Sequence, residues 1–92
     1  MKFYYPAIIR QNSDGKYHAV FPDLETCEAF GDSLEDVLDH AIDSAFYWIQ
    51  AELEEDEPQM PPATDPADIA LAEGEIARNI LVNYKFYDGW DE

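Results

Sequence analysis

Phe3 to Arg10 is a nearly unbroken apolar run, rich in aromatic and β-branched residues, and reads as an extended strand. Phe3, Tyr5, Ala7 and Ile9 fall on one side, and Tyr4, Ile8 and Arg10 on the other. Pro6 lies within the run and removes a ladder donor, so the strand must be bulged or unpaired on that side. Asn12, Ser13, Asp14 and Gly15 form a hairpin signal, with Asp14-Gly15 supplying the positive-φ positions. Tyr17 to Phe21 is the returning strand, Pro22-Asp23 ends it, and Cys27 to Phe30 reads as a third short strand. After Gly31 and Asp32 the period changes. Leu34, Val37, Leu38, Ala41, Ile42, Ala45, Phe46, Ile49 and Leu53 recur at the three-and-four spacing of one helical face. Ser33 is its N-cap, with Asp36 in the reciprocal position of a capping box. The opposite face carries Glu35, Asp36, Asp39, His40, Asp43 and Gln50. The acidic run Glu54 to Glu57 stands at the unfavourable end of the helix dipole, so the helix should fray there.

Pro58, Pro61, Pro62 and Pro66 rule out helix or central strand over residues 58–66. Asp65-Pro66 has the form of an N-cap followed by proline at the first helical position, opening a short helix to about Ala72 that Glu73-Gly74 stops. Alternation returns from Ile76 to Tyr87, the last strand. The resulting order, β-β-β-α-(short α)-β, predicts an α+β, two-layer fold. A three-stranded antiparallel meander plus a fourth strand packs on one main helix. If the fourth strand returns beside the first, the crossover predicts a parallel pairing.

Ninety-two residues suffice for one domain, spanning 1–92. With 47% apolar and 14% aromatic residues at periodic positions, the chain should fold despite 21 acidic residues against 5 basic ones. The net charge of −16 repels nucleic acid and membrane surfaces and favours a basic partner. No apolar run reaches the length needed to cross a bilayer and no secretory leader is visible, which predicts a cytoplasmic protein. Cys27 is the only cysteine, expected as a small buried apolar residue. Glu52 to Glu57 lacks the ligand spacing and glycine of a calcium loop. The glycines stand isolated, and His18 and His40 have no nucleophile at a recognisable spacing, so neither cofactor, metal nor catalytic residue is expected. Tyr4, Tyr47, Trp48, Tyr87 and Trp90 exceed what a small core needs. Such residues anchor interfaces, and a homo-oligomer, the dimer being the commonest closed form, is expected.

The chain resembles the N-terminal domain of the HicB antitoxin family. The likeness rests on Tyr5 and Ala7, the strand Tyr17 to Phe21, the turn Phe21-Pro22-Asp23-Leu24, then Cys27 and Gly31-Asp32-Ser33. Glu35-Asp36 with Ala41 in the helix and Pro61-Pro62-Ala63-Thr64 after it complete the pattern. Two departures stand out. Glu25-Thr26 replaces the proline-glycine that relatives usually place before the cysteine. No DNA-binding helix-turn-helix or ribbon-helix-helix segment is visible after the last strand, so no C-terminal DNA-binding domain is expected. The resemblance implies a partly degenerate RNase H-like fold. It also implies a function: an antitoxin-like binding module that occludes a small basic RNase toxin (HicA-like) at its RNA-binding or active face.

An RNase H-like nuclease needs carboxylates converging on paired metal ions. The first and last strands contain none, which argues against an enzyme. On charge and expected exposure the partner-binding residues are Asp23, Glu25 and Glu28 around the altered turn, Asp32 at the helix start, and Tyr47 with Trp48 on the helix flank. The alternative is an orphan: a self-associating regulatory or nucleic-acid-mimicking domain without a toxin.

Overall fold

The computed structural model describes residues 2–83. Its elements are β1 (Lys2–Gln11), β2 (Tyr17–Val20), β3 (Glu28–Gly31), α1 (Leu34–Leu53) and β4 (Ile76–Asn83), with one 3-10 turn at Pro66–Asp68 before β4. The strands make a single sheet in the order β3-β2-β1-β4. Every neighbouring pair is antiparallel, and α1 covers one face. This is the α+β, two-layer arrangement that the two periodicities predict. The part of the expected last strand beyond Asn83, and the tail with Tyr87 and Trp90, lie outside the described residues.

Alternation along β1 decides which side chains enter the core. Tyr5, Ala7 and Ile9 are buried beneath α1, while Tyr4 and Arg10 are exposed on the opposite face. Pro6 faces Asn79 of β4, and β1 pairs with β2 only from Ile8 onward. The missing N–H is thus directed to the side where β1 has no ladder partner. In the hairpin, Gly15 N–H donates to the Asn12 carbonyl (3.0 Å) and Asn12 N–H to the Lys16 carbonyl (2.7 Å). Only Gly15 takes a positive φ (88°); Asp14 does not, against expectation. Its carboxylate instead accepts the Lys16 N–H at 3.0 Å, so the side chain braces a turn that one left-handed glycine closes.

Helix α1 begins as expected, with the Ser33 hydroxyl accepting the Asp36 N–H at 3.1 Å. Val37, Ala41, Ala45 and Ile49 form its buried row. They meet Ala7, Ala19 and Ala29 on three adjacent strands, with Ile9, Ile80, Val82, Phe21 and Leu24 completing the core. Ile42, expected in the core, is 41% exposed. It lies one position off the buried row, and at 100° per residue this carries its side chain past the rim of the sheet. The helix stops at Leu53, before the acidic run. His40 does not pair with Asp36; its Nδ1 donates to the Phe30 carbonyl and ties α1 to β3.

Two further expectations are corrected. The segment after Asp65-Pro66 is a single 3-10 turn rather than a helix to Ala72. The Asp65 carboxylate does cap it, accepting the Ala67 N–H at 3.0 Å, but Ile69 is already extended. β4 is antiparallel to β1, not parallel: Ile9 lies opposite Ile76 and Lys2 opposite Asn83. Helix α1 ends at the far end of the sheet, where Trp48 reaches the turn between β2 and β3. Residues 54–75 then run the length of the sheet again, so β4 starts where β1 ends. The right-handed crossover rule governs a single traverse, and this connection makes two.

Gly31, at the end of β3, shows how closely sheet and helix approach. A Cβ there would lie 2.4 Å from the backbone nitrogen of Val37 and 2.7 Å from its Cα. Replacing Gly31 by alanine should force the first turn of α1 outward and lower the unfolding free energy by about 1–3 kcal/mol, the usual cost of overpacking. A drop in the urea midpoint at unchanged m-value would report it.

Candidate partner-binding surface

Residues 21–27 are two successive tight turns. Leu24 N–H donates to the Phe21 carbonyl (3.2 Å) and Cys27 N–H to the Leu24 carbonyl (3.0 Å). Leu24, between them, is fully buried. The second turn places Thr26 at φ 64°, a left-handed conformation that glycine adopts freely and a β-branched residue resists. Three segments converge here. Trp48 of α1 donates its indole N–H to the Glu25 carbonyl at 2.9 Å. Both Asp23 carboxylate oxygens accept from Thr64, one from the hydroxyl and one from the N–H, each at 2.7 Å. Tyr5 donates its hydroxyl to the Pro61 carbonyl at 2.6 Å. The proline-rich connection is thereby fastened to the turn and to β1.

The solvent side of α1 is anionic without relief. From Glu35 to Glu57 the sequence holds nine carboxylates and no lysine or arginine. Asp36, Asp39 and Asp43 form a stripe, flanked by exposed Ile42 on one side and by Tyr47, 65% exposed, on the other. None of these acids is in an ion pair among the described residues. At the C-terminal end of the helix, Glu52, Glu55, Asp56 and Glu57 line a shallow open hollow of about 510 Å³. The helix C-terminus adds its own partial negative charge there, with no basic residue in the last turn to offset it. Such a surface attracts a cationic protein face over several ångströms and offers apolar contact at Ile42 and Tyr47 once it docks.

The six residues expected at the interface do not form one patch. Tyr47 alone lies on the anionic helix face. Asp23 and Trp48 are committed to the junction just described. Glu25 is exposed beside them at that end. Asp32 is exposed at the other end of α1, roughly 24 Å away along the helix, and pairs with Lys16 at 2.8 Å. That ammonium holds the Asp32 carboxyl below its usual range. Glu28 is on the opposite face of the sheet, where its carboxylate meets His18 Nε2 at 2.8 Å. Ile42, assigned to the core, and Asp36, Asp39 and Asp43, assigned only to the polar face opposite it, instead lie together on the solvent side of α1. Their shared i, i+3, i+4 spacing was the available signal.

Cys27 is buried, and burial pushes its thiol up to about 11, with the Glu28 carboxylate adding to the shift. A thiol so held is neutral and a poor nucleophile. Burial and the nearby Asp23 carboxylate raise the Tyr5 hydroxyl as well. Among the described residues no group of three His, Cys, Asp or Glu side chains is placed to hold a metal ion. No helix among them is long and apolar enough to cross a membrane.

The sequence profile of the HicB_like antitoxin of bacterial toxin-antitoxin system matches residues 5–83. The chain belongs to this family. Its fold is that of the N-terminal domain of the Burkholderia pseudomallei antitoxin HicB, with a TM-score of 0.74 over 91% of this chain and all of that one, at 13% identity. A chain of the HicA3 and HicB3 toxin-antitoxin complex is also similar, with a TM-score of 0.66 and 26% identity, covering 88% of this chain and 96% of that one. No curated protein matches the sequence. In the HicB-like chain the left-handed position held by Thr26 is one that glycine would adopt without a steric penalty.

Thr26→Gly should therefore stabilise the HicB-like chain by about 1 kcal/mol, the left-handed penalty removed less the entropy that glycine adds to the unfolded state. The check is a rise in the urea midpoint. The alkaline limb of stability follows from Cys27 and Tyr5. Both keep their protons in the folded chain at pH values where the unfolded chain has lost them. Stability should be unaffected below the ordinary thiol value of 9.0 and fall as pH rises from there through about 11. Denaturant titrations across this range should show the fall, and Cys27→Ala should make it shallower.

Proposed function

We propose that this HicB-like chain neutralises a small basic RNase toxin of the HicA kind by laying the solvent face of α1 over the toxin's RNA-binding surface. The observation that carries the reading is the unbroken anionic face from Glu35 to Glu57, with Ile42 and Tyr47 standing among or beside the carboxylates. A surface evolved to hold RNA phosphates is cationic, and nine carboxylates arranged along one helix and its extension match it in sign and in length. Membership of an antitoxin family and likeness to a chain from a HicA3–HicB3 complex support the same partner. The domain acts by contact rather than catalysis: β1 and β4 carry no carboxylate where a two-metal nuclease of this general fold would need them. Glu25 and Asp32, exposed at the two ends of the helix layer, extend the contact, and Asp23 and Trp48 hold that layer in position.

If a small basic HicA-like protein is encoded beside it, co-expression should yield a complex and suppress that protein's RNA cleavage. Reversing Asp39 and Asp43 together to lysine should slow association by roughly tenfold or more at low salt, with the dissociation rate changed less. Affinity of the unmodified pair should fall as salt rises. A neighbour that cleaves RNA equally well with and without this chain would sink the proposal and leave the orphan reading.

A further inference from the structure

Between Glu35 and Glu57, where the chain carries nine carboxylates and neither lysine nor arginine, His40 is the one side chain that can become a cation. It is exposed on the solvent side of α1, one helical turn after Asp36 and one before Asp43, so it stands within the acidic stripe. The ring is held from beneath. Its Nδ1 donates to the Phe30 carbonyl of β3, and because a carbonyl only accepts, Nδ1 keeps its hydrogen in either charge state. A proton gained from solution therefore goes to Nε2. The ring borders a hollow of about 480 Å³ between the β1–β2 hairpin and the first turns of α1. The charged groups facing it there are Asp14 and Lys16 from the hairpin, Asp32 from the bend after β3 and Asp36 from α1 itself. Lys16 is already engaged by Asp32 at 2.8 Å, so the hollow has a surplus of negative charge. The Asp32 carboxyl, drawn down chiefly by Lys16, is drawn down by His40 as well. His18, the other histidine, is on the far face of the sheet against Phe30 and Glu28.

We propose that His40 makes the anionic face of α1 sensitive to pH: an uncharged ring lets the basic toxin dock, and a protonated ring weakens the contact. The inference rests on the proposed function, because it takes that docking face as given. An imidazole is the side chain that ordinarily changes charge between about pH 5 and 8, whereas carboxylates stay largely ionised above about pH 5.5. Acidification thus alters this face at one position. The added charge stands between Asp36 and Asp43, offsets part of their field and confronts a cationic partner with a like charge. The complex then holds fewer protons than the free chain, so its affinity must fall as pH falls. Nothing needs to move. The bond to the Phe30 carbonyl is kept in both states, so the helix stays seated while its charge changes.

Calorimetric titration with the basic HicA-like protein of the co-expression experiment tests it, at low salt, where charge is least screened. Between about pH 7.5 and 5.5 the unmodified chain should lose roughly fivefold or more in affinity. His40→Asn, whose amide can keep a donor to the Phe30 carbonyl, should lose markedly less, the remainder belonging to the partner. His40→Lys should bind weakly at the upper pH already and change less on acidification. Proton exchange on binding is a second readout. Near the middle of the range the unmodified complex should form with proton release, and His40→Asn should lower the amount released. Unfolding midpoints confirm that each variant is folded. Equal slopes for the unmodified chain and His40→Asn, or no pH dependence in the unmodified chain, overturn the inference and leave the proposed function standing. No complex at any pH sinks both.

Discussion

The seating of α1 on a floor of alanines is the contact on which the rest of the molecule depends. Ala7, Ala19 and Ala29 come from three adjacent strands, Ala41 and Ala45 from the helix, and all are almost completely buried. Small residues on both sides let helix and sheet approach until Gly31 has no room for a Cβ. The approach removes water from both surfaces, but alanines bury little area each. Much of the apolar burial must come from the margin, where Phe3, Leu38, Phe46 and Trp48 close the gap while remaining partly exposed. Such a core fixes the helix in depth and leaves its ends to be fixed by polar contacts.

Those polar contacts concentrate at one place. The turn of residues 21–27 receives Trp48 from the helix and Thr64 from the connection, while Tyr5 holds Pro61 nearby. Buried Leu24 anchors it from below. The strained Thr26 is tolerated because the surrounding bonds leave the turn no other course. The same fastenings hold the proline-rich connection in its second traverse of the sheet, and that traverse sets the direction of β4.

Charge is sorted by layer. The helix and its extension carry carboxylates without a single lysine or arginine, and among the described residues the far face of the sheet is balanced. A domain of this size gains little stability from ion pairs at its surface; Lys16–Asp32 is fully exposed and contributes little. The segregation therefore adds little to stability, and it is the feature on which the proposed recognition of a basic toxin rests. One layer suits a cationic partner, and the other is the surface on which the self-repulsion of the chain is least.

The amino-acid order alone determined the four strands and the main helix, the buried face of each strand, the N-cap at Ser33 and the family. Each of these follows from periodicity, local capping chemistry or short motifs, quantities that need no neighbour in space. Only the folded chain decided that β4 runs antiparallel to β1, because the direction of a strand depends on how often the preceding connection crosses the sheet. Tertiary contacts also committed Asp23 and Trp48 to structure, sent Glu28 to the opposite face and exposed Ile42. For a side chain at the shoulder of a helix or in a turn, burial is set by what packs beside it, and that neighbour lies far away in sequence.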